Sequence, residues 1–242
     1  MSTRQPTDGW HSTADLSGRE EPSGHPLSRS IQWGAGACLL LAGLLNGGAQ
    51  YLGHLVIGDR SFSEQIRWGV DNPGLHGAEQ MALLVSMMFL PLAVLALAHL
   101  ARQRSPRLTA MAVLLALWGM WGFHNVVALG YTSGTIAPTV IGVSDAVLLN
   151  ERLGDHPGAV AAALIPHLLG SSLGFLLLAI ACLRVKHLPK VPLVLLIVFV
   201  LWDFLLPPIG PLEAHLLLVL AFGWLGLFVG LMPTRLWREG TY

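Results

Sequence analysis

Charge is scarce in this chain. Lys, Arg, Asp and Glu make up 12% of its 242 residues, about half of the ~25% usual in soluble domains. The few charges sum to zero, so no basic surface offers itself to nucleic acid. Cysteine is nearly absent as well. Cys38 and Cys182 make neither a CxxC pair nor a metal-ligand spacing, which excludes a disulfide scaffold and a zinc ribbon. DDxxD and NxxxD magnesium motifs are missing, which argues against ionisation of a diphosphate. No cluster of HxxxH or HxxHH boxes suggests a diiron desaturase, and no HExxH suggests a metalloprotease. The residues give no cofactor and no metal.

Apolar sequence fills the space that charge leaves. The chain is 53% hydrophobic, with a mean hydropathy of +0.61. Six apolar segments stand out, at approximately 32–55, 78–101, 108–130, 159–183, 191–208 and 212–232. A helix needs about 20 residues to cross a ~30 Å hydrocarbon core. No ten-residue alternation marks a barrel strand, and only helices or closed barrels satisfy their backbone in lipid. The expected fold is all-α membrane: a bundle of about six transmembrane helices in the cell membrane. Residues 1–30 read as a disordered tail rich in Ser, Pro, Gly and charge. Residues 31–234 form one transmembrane helical domain and 235–242 a second tail. The first span starts too late for a cleaved leader and is expected to be retained.

Lys and Arg set the orientation. Eleven lie in the first tail, the second and fourth loops and the C-terminus, against three (Arg60, Arg67, Arg152) in the other loops. The positive-inside rule then makes both termini cytoplasmic. The outward loops are long. In residues 56–77, Ser61 and Glu64 make a capping-box pattern, and Phe62, Ile66 and Trp68 are expected to face lipid. In residues 131–158, Ser144 or Asp145 is expected to cap a short helix that ends near Gly154 and Pro157.

The stretch 195–215, LLIVFVLWDFLLPPIGPLEAH, carries a carboxylate, Asp203, inside an apolar run. An ionisable side chain at membrane depth is expensive and marks a functional site by default. Other polar residues fall in the same outward half. Asn46, Gln50 and His54 recur every four residues on one face of the first span. His76 and Glu79 open the second span. His124 and Asn125 lie in the third, His167 in the fourth, and Glu213 and His215 open the sixth. Trp118, Trp121, Trp202 and Phe204 lie in the same zone and suit a site that handles a cation. Bland readings stand beside these: interhelical hydrogen-bond glue for Asn46 and Gln50, and acids favoured at helix N-termini for Glu79 and Glu213.

An acid kept neutral in a low-dielectric cavity can donate a proton. Aromatic faces stabilise a carbocation, and a dry site protects it. Together these describe an acid-initiated, cofactor-independent isomerase or cyclase of a lipophilic alkene or epoxide. A mostly helical chain of this size with isolated intramembrane carboxylates resembles the small integral-membrane terpene (meroterpenoid) cyclases. That resemblance implies a prenylated substrate, with Asp203 and Glu79 as proton donor and partner. Residues His124, Asn125, His76, Gln50, His167, Glu213 and His215 would support them. The rhythm GSSLGFLLLAIACLRVKHLPKVPLVLLIVFVL followed by GPLEAHLLLVLAFGWLGLFVGL is also similar to uncharacterised bacterial small multi-pass membrane proteins, which implies a fold type alone. Two other functions remain open: a binding, transport or sensory protein for a lipophilic ligand, and a b-haem protein with axial ligands among His54, His76, His124, His167 and His215. The expected partners are a lipophilic small molecule and the lipid bilayer.

Overall fold

The computed structural model of the chain describes residues 26–58, 60–206 and 212–239. Most of the expected first tail and the Pro207–Pro208 turn lie outside the described residues. Among the described residues there are nine helices and no strand. They are α1 (26–57), α2 (Phe62–Asp71), α3 (Pro73–Ala101), α4 (Pro106–Ile141), α5 (Val143–Asp155), α6 (Pro157–Leu183), α7 (Lys190–Leu205), α8 (His215–Leu231) and α9 (Thr234–Glu239). The all-α class is as expected. Four helices, α1, α3, α4 and α6, are long and apolar enough to cross a membrane. Helices α7 and α8 are apolar but shorter, with 16 and 17 residues.

Local chemistry explains the boundaries. Proline opens α3, α4 and α6, where its fixed φ suits the first turn and its missing N–H costs nothing. Helix α1 likewise begins at Pro26, inside the stretch expected as tail. Helix α3 begins at Pro73, so Glu79 sits in its second turn and not at its start. Helix α4 continues through Thr132–Ile136 to Ile141, well beyond the expected end near residue 130. Gly142, at φ 88°, breaks it and starts α5. Asp145 lies in the first turn of α5, with Gly142 as its N-cap. Ser61 and Glu64 form the expected capping box of α2. Ile66, expected to face lipid, is 2% exposed; α2 folds over the bundle mouth and turns this side chain inward.

Small residues set the helix contacts. In an apolar medium, helices associate through close van der Waals approach. A methyl group placed on Gly36 of α1 would lie 2.7 Å from the Gly226 carbonyl and 2.9 Å from the Gly230 nitrogen of α8. One on Gly47 would lie 2.8 Å from the His215 carbonyl. The pair α4–α6 does the same through Gly119 and Gly122 against Gly170, Ala163 and Pro166. Around these contacts pack Leu97, Leu178, Leu193, Leu196, Phe222 and Leu225, all fully buried.

One end of the bundle is closed by polar links to the backbone. Gln32 donates to the carbonyls of Val229 (2.9 Å) and Met232 (2.6 Å). His99 stacks on Trp237 and bonds its carbonyl at 2.7 Å. Arg238 reaches Ser28 at 3.0 Å. Cys182 points its thiol at the Leu97 carbonyl, 3.7 Å away.

Two outcomes are expected. Gly36→Leu and Gly170→Val should each destabilise the bundle by about 1–3 kcal/mol or more, read as earlier thermal loss of the monodisperse peak in detergent. Gly34→Ala, with nothing within 4 Å of its new methyl, should not. The second concerns Glu64, whose carboxyl is held below its ordinary value of 4.5 by hydrogen bonds from the Ser61 hydroxyl and backbone N–H. A depressed acid stabilises α2 above its unfolded value and loses that contribution as pH falls through the lower folded value. Hydrogen exchange, corrected for intrinsic rate, should show α2 opening more often below about pH 4, and Ser61→Ala should blunt that step.

Candidate functional site

Opposite the basic, closed end, the helices α1, α3, α4, α6, α7 and α8 surround a cavity of about 290 Å³. Two of its walls are π-helical. The segment Gly43–Gly47 of α1 carries Asn46, and Pro166–Ser171 of α6 carries His167 and Ser171. A π-turn inserts one residue, widens the helix locally and recurs at functional sites. Here it turns three polar side chains into one space.

Asp203 and His215 meet on one wall of the cavity, and Glu213 bonds the imidazole from outside the lining. Asp203 projects from the last turns of α7, and Glu213 and His215 stand at the start of α8. His215 Nδ1 lies 3.7 Å from Asp203 Oδ1 and hydrogen-bonds Glu213 Oε1. Glu213 Oε2 also accepts the His215 backbone N–H at 2.8 Å. Glu213 is thus both a helix N-terminal acid and the group that fixes the imidazole. The three side chains are only 11–22% exposed. Among the described residues no lysine or arginine lines the cavity, and the His215 imidazole is the group that meets both carboxylates.

Aromatic rings complete the walls. His167 stacks on Phe123, with ring centres 4.8 Å apart, and touches Phe204 at 5.7 Å. Its Nδ1 meets the Ser171 hydroxyl at 3.3 Å. His215 stands edge-on to Phe199 at 5.4 Å. On the far wall, Gln50 donates to Asn46 (3.1 Å), Asn46 donates to Ser86 (3.2 Å), and Ser86 donates to the Leu83 carbonyl (2.7 Å). That chain satisfies the buried amides and holds α1 to α3.

A second cavity of about 240 Å³ lies beside the first and shares Gln50 and Phe123 with it. His76 and Glu79 line it. His76 Nε2 bonds Thr135 at 3.0 Å, and its Nδ1 lies 3.7 Å from Glu79 Oε2. Glu79 also packs against Gly53 of α1 and borders an apolar groove on the outer side of α1 and α3. Asp203 and Glu79, expected as donor and partner, do not share a cavity. The carboxylate beside Asp203 is Glu213.

Other expected pocket members point elsewhere. Trp118 and Trp121 are 41% and 52% exposed, and His124 is exposed on the same outer face. The cause is helical register. Ala116, Gly119 and Gly122 press α4 onto α6, and at about 100° per residue His124 stands roughly 200° round from Gly122. Phe123 takes the inner position that was expected of His124. Asn125 donates to the Ala162 carbonyl at 2.9 Å, within a π-segment of α6. It is an interhelical tie and does not line the cavity. Trp202 of α7 packs against the core and does not line the cavity, whereas Phe204 does. His54 lies at the far end of α1, partly buried.

Phe199, Phe175 and Ser171 line the cavity but carried no signal beyond being aromatic or small in apolar helices. The run Gly170–Gly174 reads GSSLG and so matches the G-x-S-x-G pattern. It lies within a helix, whereas a nucleophile elbow needs a strand-to-helix turn. Its glycines serve the contact with α4, and Ser172 bonds back to the Leu168 carbonyl.

Comparison with protein-family models, curated proteins and solved structures finds no match to this chain.

Asn125→Ala should destabilise the protein by about 0.5–1.5 kcal/mol, because it removes a part-buried hydrogen bond between α4 and α6. His124→Ala, on the outer face, should stay within about 0.5 kcal/mol of wild type. Thermal unfolding of both variants in one detergent checks the assignment of inner and outer faces.

Proposed function

We propose that this protein is a six-span cell-membrane enzyme that isomerises or cyclises a lipophilic, prenylated alkene or epoxide by protonation. The observation that carries the reading is Asp203 beside His215 in a small cavity walled mostly by aromatic and aliphatic side chains, with Glu213 bonded to that imidazole. The excess of Lys and Arg at the closed end supports cytoplasmic termini, which puts the cavity in the outward half. Helices α7 and α8, apolar along their 16 and 17 residues, complete the six spans. A volume near 290 Å³ lies at the low end of the ~300–1,000 Å³ of ligand pockets.

In this reading protonated Asp203 gives its proton to the substrate carbon or epoxide oxygen. The resulting cation is held over the faces of Phe123, Phe199 and Phe204. Loss of a proton to the Asp203 carboxylate closes the cycle, so mass is unchanged and no redox partner is consumed. Glu213 orients His215, which holds Asp203 in place. The partner role expected of Glu79 passes to Glu213. Glu79 and His76 belong to the outer cavity, on the approach from the lipid-facing groove. That groove also favours a second reading, a carrier or sensor that binds a lipophilic ligand without converting it.

The test is conversion in whole cells fed prenylated aromatics and their epoxides. The expected product has unchanged mass and a new retention time. Asp203→Asn should lower conversion by about 100-fold or more at equal expression. Glu79→Gln should keep most of it. Equal product from wild type and Asp203→Asn would remove the acid assignment.

A further inference from the structure

Asp203 on the cavity wall and Glu213 behind His215 set two carboxylates about one imidazole, a charge problem that a proton solves in one way and a metal ion in another. Asp203, Glu213 and His215 each offer a ligand atom, and these atoms all lie within 4.8 Å of one another. The imidazole Nδ1 faces both carboxylates: it bonds Glu213 and is 3.7 Å from Asp203 Oδ1. A cation in place of the Nδ1 proton therefore comes within reach of an oxygen from each. Among the described residues neither lysine nor arginine lines the cavity to compete for those oxygens. A buried pair of carboxylates without sufficient counter-charge is costly.

We propose that Asp203, Glu213 and His215 bind one divalent transition-metal ion of the zinc class. One nitrogen and two oxygens suit zinc or cobalt at about 2.0–2.2 Å. Three protein ligands leave a coordination position open toward the cavity, as in reactive rather than structural zinc sites. His167 lines the same cavity. Its Nδ1 is engaged by Ser171, and its other ring nitrogen has no hydrogen-bond partner among the described residues. It is placed to orient water at the open position. The inference rests on reading this triad as the functional centre. Metal and transferable proton neutralise the same carboxylates, so an occupied site is closed to proton donation, and zinc acts as an inhibitor of the acid chemistry.

The test uses the full-length, tag-free protein in detergent, dialysed against ZnCl2 or CoCl2 and assayed by mass spectrometry for bound metal. Wild type should hold one equivalent, and cobalt should give visible d–d bands that zinc abolishes. Asp203→Asn and His215→Gln, each shown monodisperse by size exclusion, should weaken binding about tenfold or more. His124→Ala, outside the cavity, should bind like wild type. Less than one equivalent in wild type, or equal binding by the two triad variants, overturns the proposal. Because the readout is metal content, a failure of conversion leaves it standing, and conversion without metal binding sinks it alone.

Discussion

The close approach of α1 to α8 is the contact on which the rest depends. Where Gly47 meets the His215 carbonyl, no side chain separates the two backbones. The start of α8 is thereby held against the segment that carries Asn46. Gly36 and the pair Gly226 and Gly230 fix the same two helices nearer the closed end. With both contacts made, α8 has one rotation available, and that rotation turns His215 toward Asp203 on α7. The contact between α4 and α6 plays the matching role for Phe123 and His167.

Polar groups inside such a bundle must find partners there, since neither lipid nor aliphatic core supplies them. The molecule divides them by task. Gln32, His99 and Asn125 serve backbone carbonyls and tie helices together. Asn46, Gln50 and Ser86 form a short chain of amides and hydroxyl that ends on a carbonyl. Asp203, Glu213 and His215 instead turn toward one another and toward open space. What sets the triad apart is that two carboxylates share one imidazole, with Asp203 and His215 on the wall of the inner cavity.

Much of this was legible in the chain itself. The scarcity of charge and the long apolar runs pointed to an all-helical membrane protein, and the capping box at Ser61 and Glu64 is where it was expected. The gathering of polar residues at one end was also legible, because Asp203, Glu213, His215, His167, Asn46 and Gln50 all fall toward the same end of their apolar segments. The side each residue faces was harder. His124 and Phe123 are neighbours with opposite fates, decided by Gly119 and Gly122 three-dimensionally and not by polarity. The π-turns escaped notice because no residue type demands them. Asp203 with Glu79 looked as natural a pair as Asp203 with Glu213 until the helices were placed.

The packed half of the bundle has a consequence for traffic. From the triad toward the closed end, the interior is filled by side chains such as Leu97, Leu196 and Phe222, with no exposed surface. Among the described residues the inner cavity is therefore a blind end, and the space next to it is the second cavity, which it meets at Gln50 and Phe123. A molecule of any kind that reached the triad would have a wall of leucine and phenylalanine ahead of it.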